Sequence, residues 1–210
     1  MTRGLFITLE GGDGSGKSTQ SGMLIDWLHL SGRTVVTSRE PGGTDLGIEL
    51  RNIVLHRRGD IAPRAEALLY AADRAHNIAT KVRPAIERGD IVVQDRYLDS
   101  SVAYQGAGRA LDGVRDLSLW AAEGLLPDLT ILLDLHEELG SDRMSERTQF
   151  DRLEAEKADF HARVRAAYLQ LAAAEPQRFL VLDARDSRES IAAAIRARVE
   201  PLLVDPLLVD

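Results

Sequence analysis

Residues 5–19 read LFITLEGGDGSGKST, and the rest of the fold can be worked out from that stretch. Residues 5–9 form a short, nearly continuous apolar run, the pattern of a strand buried on both faces of a parallel sheet. Residues 11–18, GGDGSGKS, match G-x-x-x-x-G-K-[ST], and Met23, Trp27 and Leu30 follow at helical spacing. Strand, glycine-rich loop and helix in this order make a phosphate cradle. Backbone N–H groups converge on the anion, and the helix start near Lys17 adds the positive end of its dipole. Glycines permit the close approach that a Cβ would block. Lys17 is placed to reach the β- and γ-phosphates, and the Ser18 hydroxyl to ligate Mg2+. Gly11, Gly12, Asp13, Gly14, Ser15, Gly16, Lys17, Ser18 and Thr19 are therefore expected to hold a nucleoside triphosphate.

Outward from the cradle the pattern repeats. Short apolar runs at 34–37, 91–93, 129–133 and 179–182 are bounded by turn residues. Before the third run, Ala65, Leu68, Ala72, Ala75, Ala79 and Val82 predict one apolar stripe on a long helix. Phe160, Val164, Tyr168 and Leu171 predict another, and Ile191, Ile195, Val199 and Leu202 a last one. Strands alternating with helices predict an α/β fold, an open five-stranded parallel sheet with helices on both faces. No linker rich in Gly, Ser or Pro divides the chain, so residues 1–210 read as one domain. The polar segment 136–150 interrupts the alternation and reads as a lid above the sheet. The sequence PLLVD stands at 201–205 and again at 206–210, a local duplication without an assigned role.

Bulk composition narrows the partners. With 210 residues, 44% hydrophobic and 28% charged, the chain has the balance of a soluble globular domain. A net charge of -7 provides no global positive field, so a general nucleic-acid partner is not expected. The absence of cysteine removes disulfide frameworks and thiolate metal sites. The N-terminal apolar run is too short for a secretory leader, and no stretch has the length of a membrane span. The reading is a cytoplasmic protein with no membrane partner.

Further polar residues cluster where open α/β sheets place ligands, at the carboxyl ends of strands. IVVQDRY puts Asp95 and Arg96 there; Asp95 can support Mg2+ or orient an acceptor, and Arg96 can grip a phosphate bidentately. Asp134, ending LTILLDL, is an equal candidate for the metal. The second strand leads into SREPGGT, with Glu40 before a rigid turn and Arg51 on the helical pattern beyond. Tyr70 and Arg74 lie four apart, with Asn77 on the same side, so a ring and a guanidinium stand side by side. They suit a base and its edge; taken alone they suit a solvated helix face better. No guanine-reading N-K-x-D is present, and a nucleotide-driven switch would not need a second arginine-lined pocket.

Taken in order and spacing, FITLEGGDGSGKSTQ, SREPGGT, EALLYAADRAHN, ERGDIVVQDRYLDSSVAYQGAGR and FDRLEAEKADFHARVRAAYLQLA resemble the bacterial thymidylate kinase family over nearly the whole chain. The resemblance implies the nucleoside monophosphate kinase fold, usually a homodimer. It implies transfer of phosphate from ATP, with Mg2+, to dTMP in deoxynucleotide synthesis. By the same resemblance Asp13 faces the acceptor's 3′-hydroxyl, Arg96 and Arg51 grip the monophosphate, and Tyr70 stacks on thymine. Arg74 and Gln105 match the readers of the base edge, Tyr104 the ring that crowds the 2′ position, and Ser101 a residue near base or sugar. Glu40 belongs to the same substrate set. Members of that family carry the catalytic arginine either at the position of Gly14 or in the lid, so with Gly14 here the resemblance implies a lid-region arginine, with Arg143, Arg147 and Arg152 as candidates.

Overall fold

The computed structural model describes residues 3–57, 59–135, 152, 153 and 156–203. The segment read as a lid, 136–150, lies outside them with Arg143 and Arg147, as do residues 204–210. Five strands, β1 (Phe6–Gly11), β2 (Val35–Arg39), β3 (Ile91–Asp95), β4 (Leu129–Asp134) and β5 (Phe179–Asp183), form one sheet in the order β2-β3-β1-β4-β5. All neighbours are parallel. The expected α/β architecture is the observed one. β1 is central, and every residue in it is buried, which is why its sequence is apolar without alternation. Each strand runs one or two residues past its apolar run and ends on Gly11, Arg39, Asp95, Asp134 or Asp183. Parallel pairing brings all five ends to one edge of the sheet.

The period of two sorts β1 between two cores. Ile7 and Leu9 join Val93 and Ile131 against Leu24 and Leu28 of α1 (Lys17–Leu30) and against Ile191, Ile195 and Val199 of α8 (Arg188–Val199). Phe6 faces the other way, with Val92, Ile78, Val82 and Tyr97. On that side α7 (Ala158–Ala174) buries Phe160, Val164, Tyr168 and Leu171, the stripe its sequence predicts. Between these lie α2 (Asp45–His56) and α3 (Pro63–Asn77), then a π-helical turn Ile78–Val82 and α4 (Arg83–Glu87). A short α5 (Leu98–Ser101), a second π turn Val102–Gly108 and α6 (Val114–Ala121) follow β3. Local chemistry marks several starts. The Thr44 side chain accepts from Gly47 N at 3.0 Å to cap α2, Ser187 accepts from Ser190 N at 3.1 Å to cap α8, and Pro63 opens α3.

Two helices turn differently from their apolar pattern. On α1 the buried positions are Lys17, Gln20, Leu24 and Leu28, while Leu30 is 89% exposed. On α3 the predicted stripe faces outward, with Leu68 57% exposed, and Glu66, Ala67, Tyr70, Ala71, Asp73, Arg74 and Asn77 are buried. Buried polar groups that find partners can outweigh an apolar stripe in setting a helix's rotation, and those of α3 find theirs over the carboxyl edge of the sheet. The predicted long helix also does not run unbroken to Val82. Arg83 N donates to Ile78 O across a π turn, next to Pro84, which has no N–H to continue an α-helical ladder.

Candidate active site

The loop between β1 and α1 wraps a concave backbone. Gly11 has φ 134°, and a Cβ there would lie 2.4 Å from the Leu133 carbonyl oxygen. Gly16 has φ 96° and caps α1 in the left-handed region, which L side chains avoid. Lys17 Nζ donates to the carbonyls of Gly11 at 3.1 Å and Gly12 at 2.7 Å. Burial, with the Arg96 charge beside it, pushes the Lys17 amine down to about 8. Ser18 and Thr19 stand exposed on the first turn of α1, whereas Ser15 is buried, its hydroxyl without a partner among the described residues.

Beside this loop lies a cavity of about 510 Å3, counting the part open to solvent. Asp13, Glu40, Arg51, Tyr70, Arg74, Arg96, Ser101, Tyr104 and Gln105 all line it, so the nine residues singled out for the second site converge. Pro41, Leu55, Tyr97, Ser100 and Leu153 complete the wall. Arg96 has φ 62°, a strained position for a side chain of this size. Its guanidinium is held from all sides. Nη2 lies 2.5 Å from Asp13 Oδ1, Nη1 donates to Gly11 O at 3.0 Å and to the Ser100 hydroxyl at 3.2 Å, and the carbon stands 5.0 Å from the centre of the Tyr104 ring. Burial alone would raise Asp13, but Arg96 and Lys17 outweigh it and hold the carboxyl at about 2. Behind them Glu10, fully buried, accepts from Tyr97 N at 2.8 Å, Ser100 Oγ at 2.6 Å and Tyr168 Oη at 2.9 Å. Burial, with Asp99 nearby, pushes Glu10 up to about 7.

The far end of the cavity is built on α3. Arg74 is 1% exposed. Its Nε sits 2.9 Å from Glu40 Oε2, and its other nitrogens donate to the Ser118 hydroxyl at 3.1 Å and the Ser101 hydroxyl at 3.0 Å. Glu40 also accepts from Asn77 Nδ2 at 3.1 Å; burial pushes its carboxyl up to about 7 against the pull of Arg74. Asn77 is fixed by the Ser38 hydroxyl at 2.8 Å and by Gln94 at 3.0 Å. Arg51, on α2, reaches the Pro41 carbonyl at 2.9 Å. Gln105, in the second π turn, donates its amide to Glu66 at 2.8 Å.

The two acidic candidates for a metal are no longer equal. Both oxygens of Asp134 accept from Arg165, at 2.7 and 2.8 Å. Asp95 keeps a buried Oδ1 with no partner among the described residues. An unpartnered carboxylate oxygen at the end of β3 and an exposed serine after the phosphate loop fit Mg2+, which takes few protein ligands and completes its shell with phosphate and water. Of the lid-region arginines, Arg152 alone is described. It is committed to Glu66 and to the Val54 carbonyl, the latter at 3.0 Å. Sequence reading missed Glu10, Glu66, Ser100 and Ser118. Each is a polar residue inside or beside an element, whose signal is a carboxylate or hydroxyl where apolar residues are expected.

A phosphate loop and an arginine-lined cavity side by side on the carboxyl edge of a parallel sheet define a P-loop kinase acting on a second, phosphorylated small molecule. A family model described as thymidylate kinase matches residues 9–195. The thymidylate kinase of Leifsonia xyli subsp. xyli is 74% identical over 200 residues, 94% of this chain and 95% of that protein. That of Bifidobacterium longum subsp. infantis is 52% identical over 96% of this chain and 88% of its own length, and that of Deinococcus radiodurans 50% over 95% and 98%. The chain belongs to the thymidylate kinase family, enzymes that phosphorylate dTMP.

Proposed function

We propose that this protein transfers the γ-phosphate of ATP to dTMP, giving dTDP for deoxynucleotide synthesis. The observation that carries the reading is the convergence of Arg51, Arg96, Arg74, Gln105, Tyr70 and Tyr104 on one cavity that shares Asp13 with the phosphate loop. One end of that cavity presents guanidinium groups suited to a phosphate. The other presents a ring, a guanidinium and an amide suited to a base.

In this reading residues 11–19 hold the triphosphate and Lys17 follows the γ-phosphate as charge shifts onto the leaving oxygen. Arg96 and Arg51 align the acceptor phosphate, which is already anionic and needs no strong base. Asp13, ionised and hydrogen-bonded by Tyr104 at 3.2 Å, accepts from the 3′-hydroxyl. Tyr104 closes the space a 2′-hydroxyl would need, Tyr70 covers the thymine face, and Ser101 steadies Arg74. Ser18 and Asp95 would hold Mg2+, which would spread the charge of the phosphates. The whole chain acts as one catalytic domain in the cytoplasm, without nucleic-acid or membrane partners. No helix among the described residues is long and apolar enough to cross a membrane.

The homodimer reading is supported by α2 and α3. Leu46 and Ile53, seven apart and so on one face of α2, are exposed with Leu68 of α3. The functional reading is tested with Arg96→Ala. The KM for dTMP should rise at least tenfold while ATP binding changes little; equal losses for both nucleotides would remove Arg96 from the acceptor site.

A further inference from the structure

Glu66 has no part in the roles assigned above, yet it sits fully buried in the first turn of α3 with three donors on its carboxylate. Gln105 Nε2 donates to Oε1 at 2.8 Å. Arg109 lies 3.5 Å from Oε2, and Arg152 bonds the same oxygen. The two arginines are fixed elsewhere as well, Arg109 by Glu156 at 2.5 Å and over the Phe160 ring at 5.1 Å, Arg152 by the Val54 carbonyl. A carboxylate flanked by two guanidinium groups offers acceptors only. The Gln105 amide therefore has one allowed orientation here, its NH2 on Glu66, and the end left for the cavity is its oxygen.

That orientation has a consequence for the ligand, and it rests on the reading of the cavity as a nucleotide site. A base edge meeting the Gln105 oxygen must donate. A base edge meeting Arg74 must accept, because a guanidinium has no acceptor. A ring N–H next to a carbonyl is the edge of a 4-oxo pyrimidine. A 4-amino pyrimidine carries the reverse, a bare ring nitrogen next to an NH2. We propose that Glu66 is a positioning residue that selects 4-oxo over 4-amino pyrimidine monophosphates by locking the flip of the Gln105 amide. Without the lock the amide turns to suit either edge. With it, the wrong base leaves a buried acceptor facing an acceptor, a mismatch that hydrogen-bonding sites reject strongly.

The test uses Glu66→Gln, which keeps the shape but can both donate and accept. kcat/KM is measured for dTMP and dCMP, together with ATP affinity and melting temperature. The expected result is a fall of at least about tenfold in the dTMP:dCMP ratio, with ATP affinity unchanged. Equal loss for the two nucleotides, or an unchanged ratio, overturns the proposal and makes Glu66 a structural anchor. Should Glu66→Gln fail to fold, Glu66→Asp keeps the negative charge beside the arginines but draws the carboxylate back by one methylene and so loosens its hold on Gln105. It must lower the ratio as well, and an unchanged ratio there overturns the proposal equally. In 15N-labelled wild type, bound dTMP should leave the Gln105 NH2 protons on Glu66; a hydrogen bond from them to the base contradicts the lock. Failure of the wild type to phosphorylate dTMP sinks the functional reading instead, so the two failures are distinct.

Discussion

An amine taken out of water beside a guanidinium holds its proton weakly, and Lys17, buried next to Arg96 and at about 8, is such an amine. Polyphosphate placed against it raises that value, so nucleotide binding takes up a proton when the pH lies above about 8. ATP affinity should accordingly weaken as pH rises through 8 to 9, and calorimetry in buffers of different ionisation heat would register the uptake; pH-independent binding would contradict it. Lys17→Ala should cost about 2–4 kcal/mol of transition-state stabilisation, as removal of a preorganised donor does, read as kcat at saturating nucleotides. Glu10 works in the opposite sense. Its native value, about 7 against 4.5, means the folded protein binds the extra proton. Its contribution to stability is complete below about 4.5 and is lost as pH rises through 7. Glu40 adds a term of the same sign, whereas Asp13, at about 2, loses its contribution only under strong acid. Denaturant midpoints from pH 4.5 to 7.5 should fall less steeply in Glu10→Gln than in wild type.

At the scale of elements, the strands and the helices do not yield to sequence equally. β1, β3 and β4 were legible because both of their faces are buried and the signal is continuous apolarity; the edge strands β2 and β5 are only partly buried and were legible as short apolar runs between turn residues. The α7 and α8 stripes were legible for a related reason, since each packs an apolar face on the sheet. The rotation of α3 was not. Its outward face holds Ala65, Leu68 and Ala72, and its inward face holds Glu66, Asp73, Arg74 and Asn77, so hydrophobic periodicity points the wrong way. Only the pairing of each polar group over the strand ends fixes the helix. The substrate residues were legible through family motifs, while Glu10 and Glu66, which hold them, carry no separate spacing signal. The proposed homodimer would cover the apolar face turned outward on α3, beside exposed Leu46 and Ile53 of α2. Leu68→Glu should shift the protein from dimer to monomer in sedimentation; a wild-type mass already monomeric would contradict the homodimer. Thr44→Ala, which removes the cap of α2, should lower stability by about 1 kcal/mol, seen as a lower melting temperature.

For the whole molecule, the sheet order β2-β3-β1-β4-β5 is what sets the phosphate loop and the arginine-lined cavity side by side. β1 delivers the phosphate loop at the centre. β3, its neighbour, delivers Asp95 and Arg96, and β2 beyond it delivers Glu40 and the turn before α2. The loop and the cavity are thereby adjacent, joined through the Asp13–Arg96 pair at 2.5 Å. On the proposed reading this edge hands phosphate from ATP to dTMP. The most direct test of that reading incubates purified protein with ATP and Mg2+ and, separately, dTMP, dUMP, dCMP, UMP and AMP, following nucleoside diphosphate formation by phosphorus NMR. Rapid dTDP formation with equimolar ADP is expected, with much slower conversion of dCMP, UMP and AMP. ATP hydrolysis that no monophosphate accelerates, with no diphosphate of the acceptor formed, would contradict it.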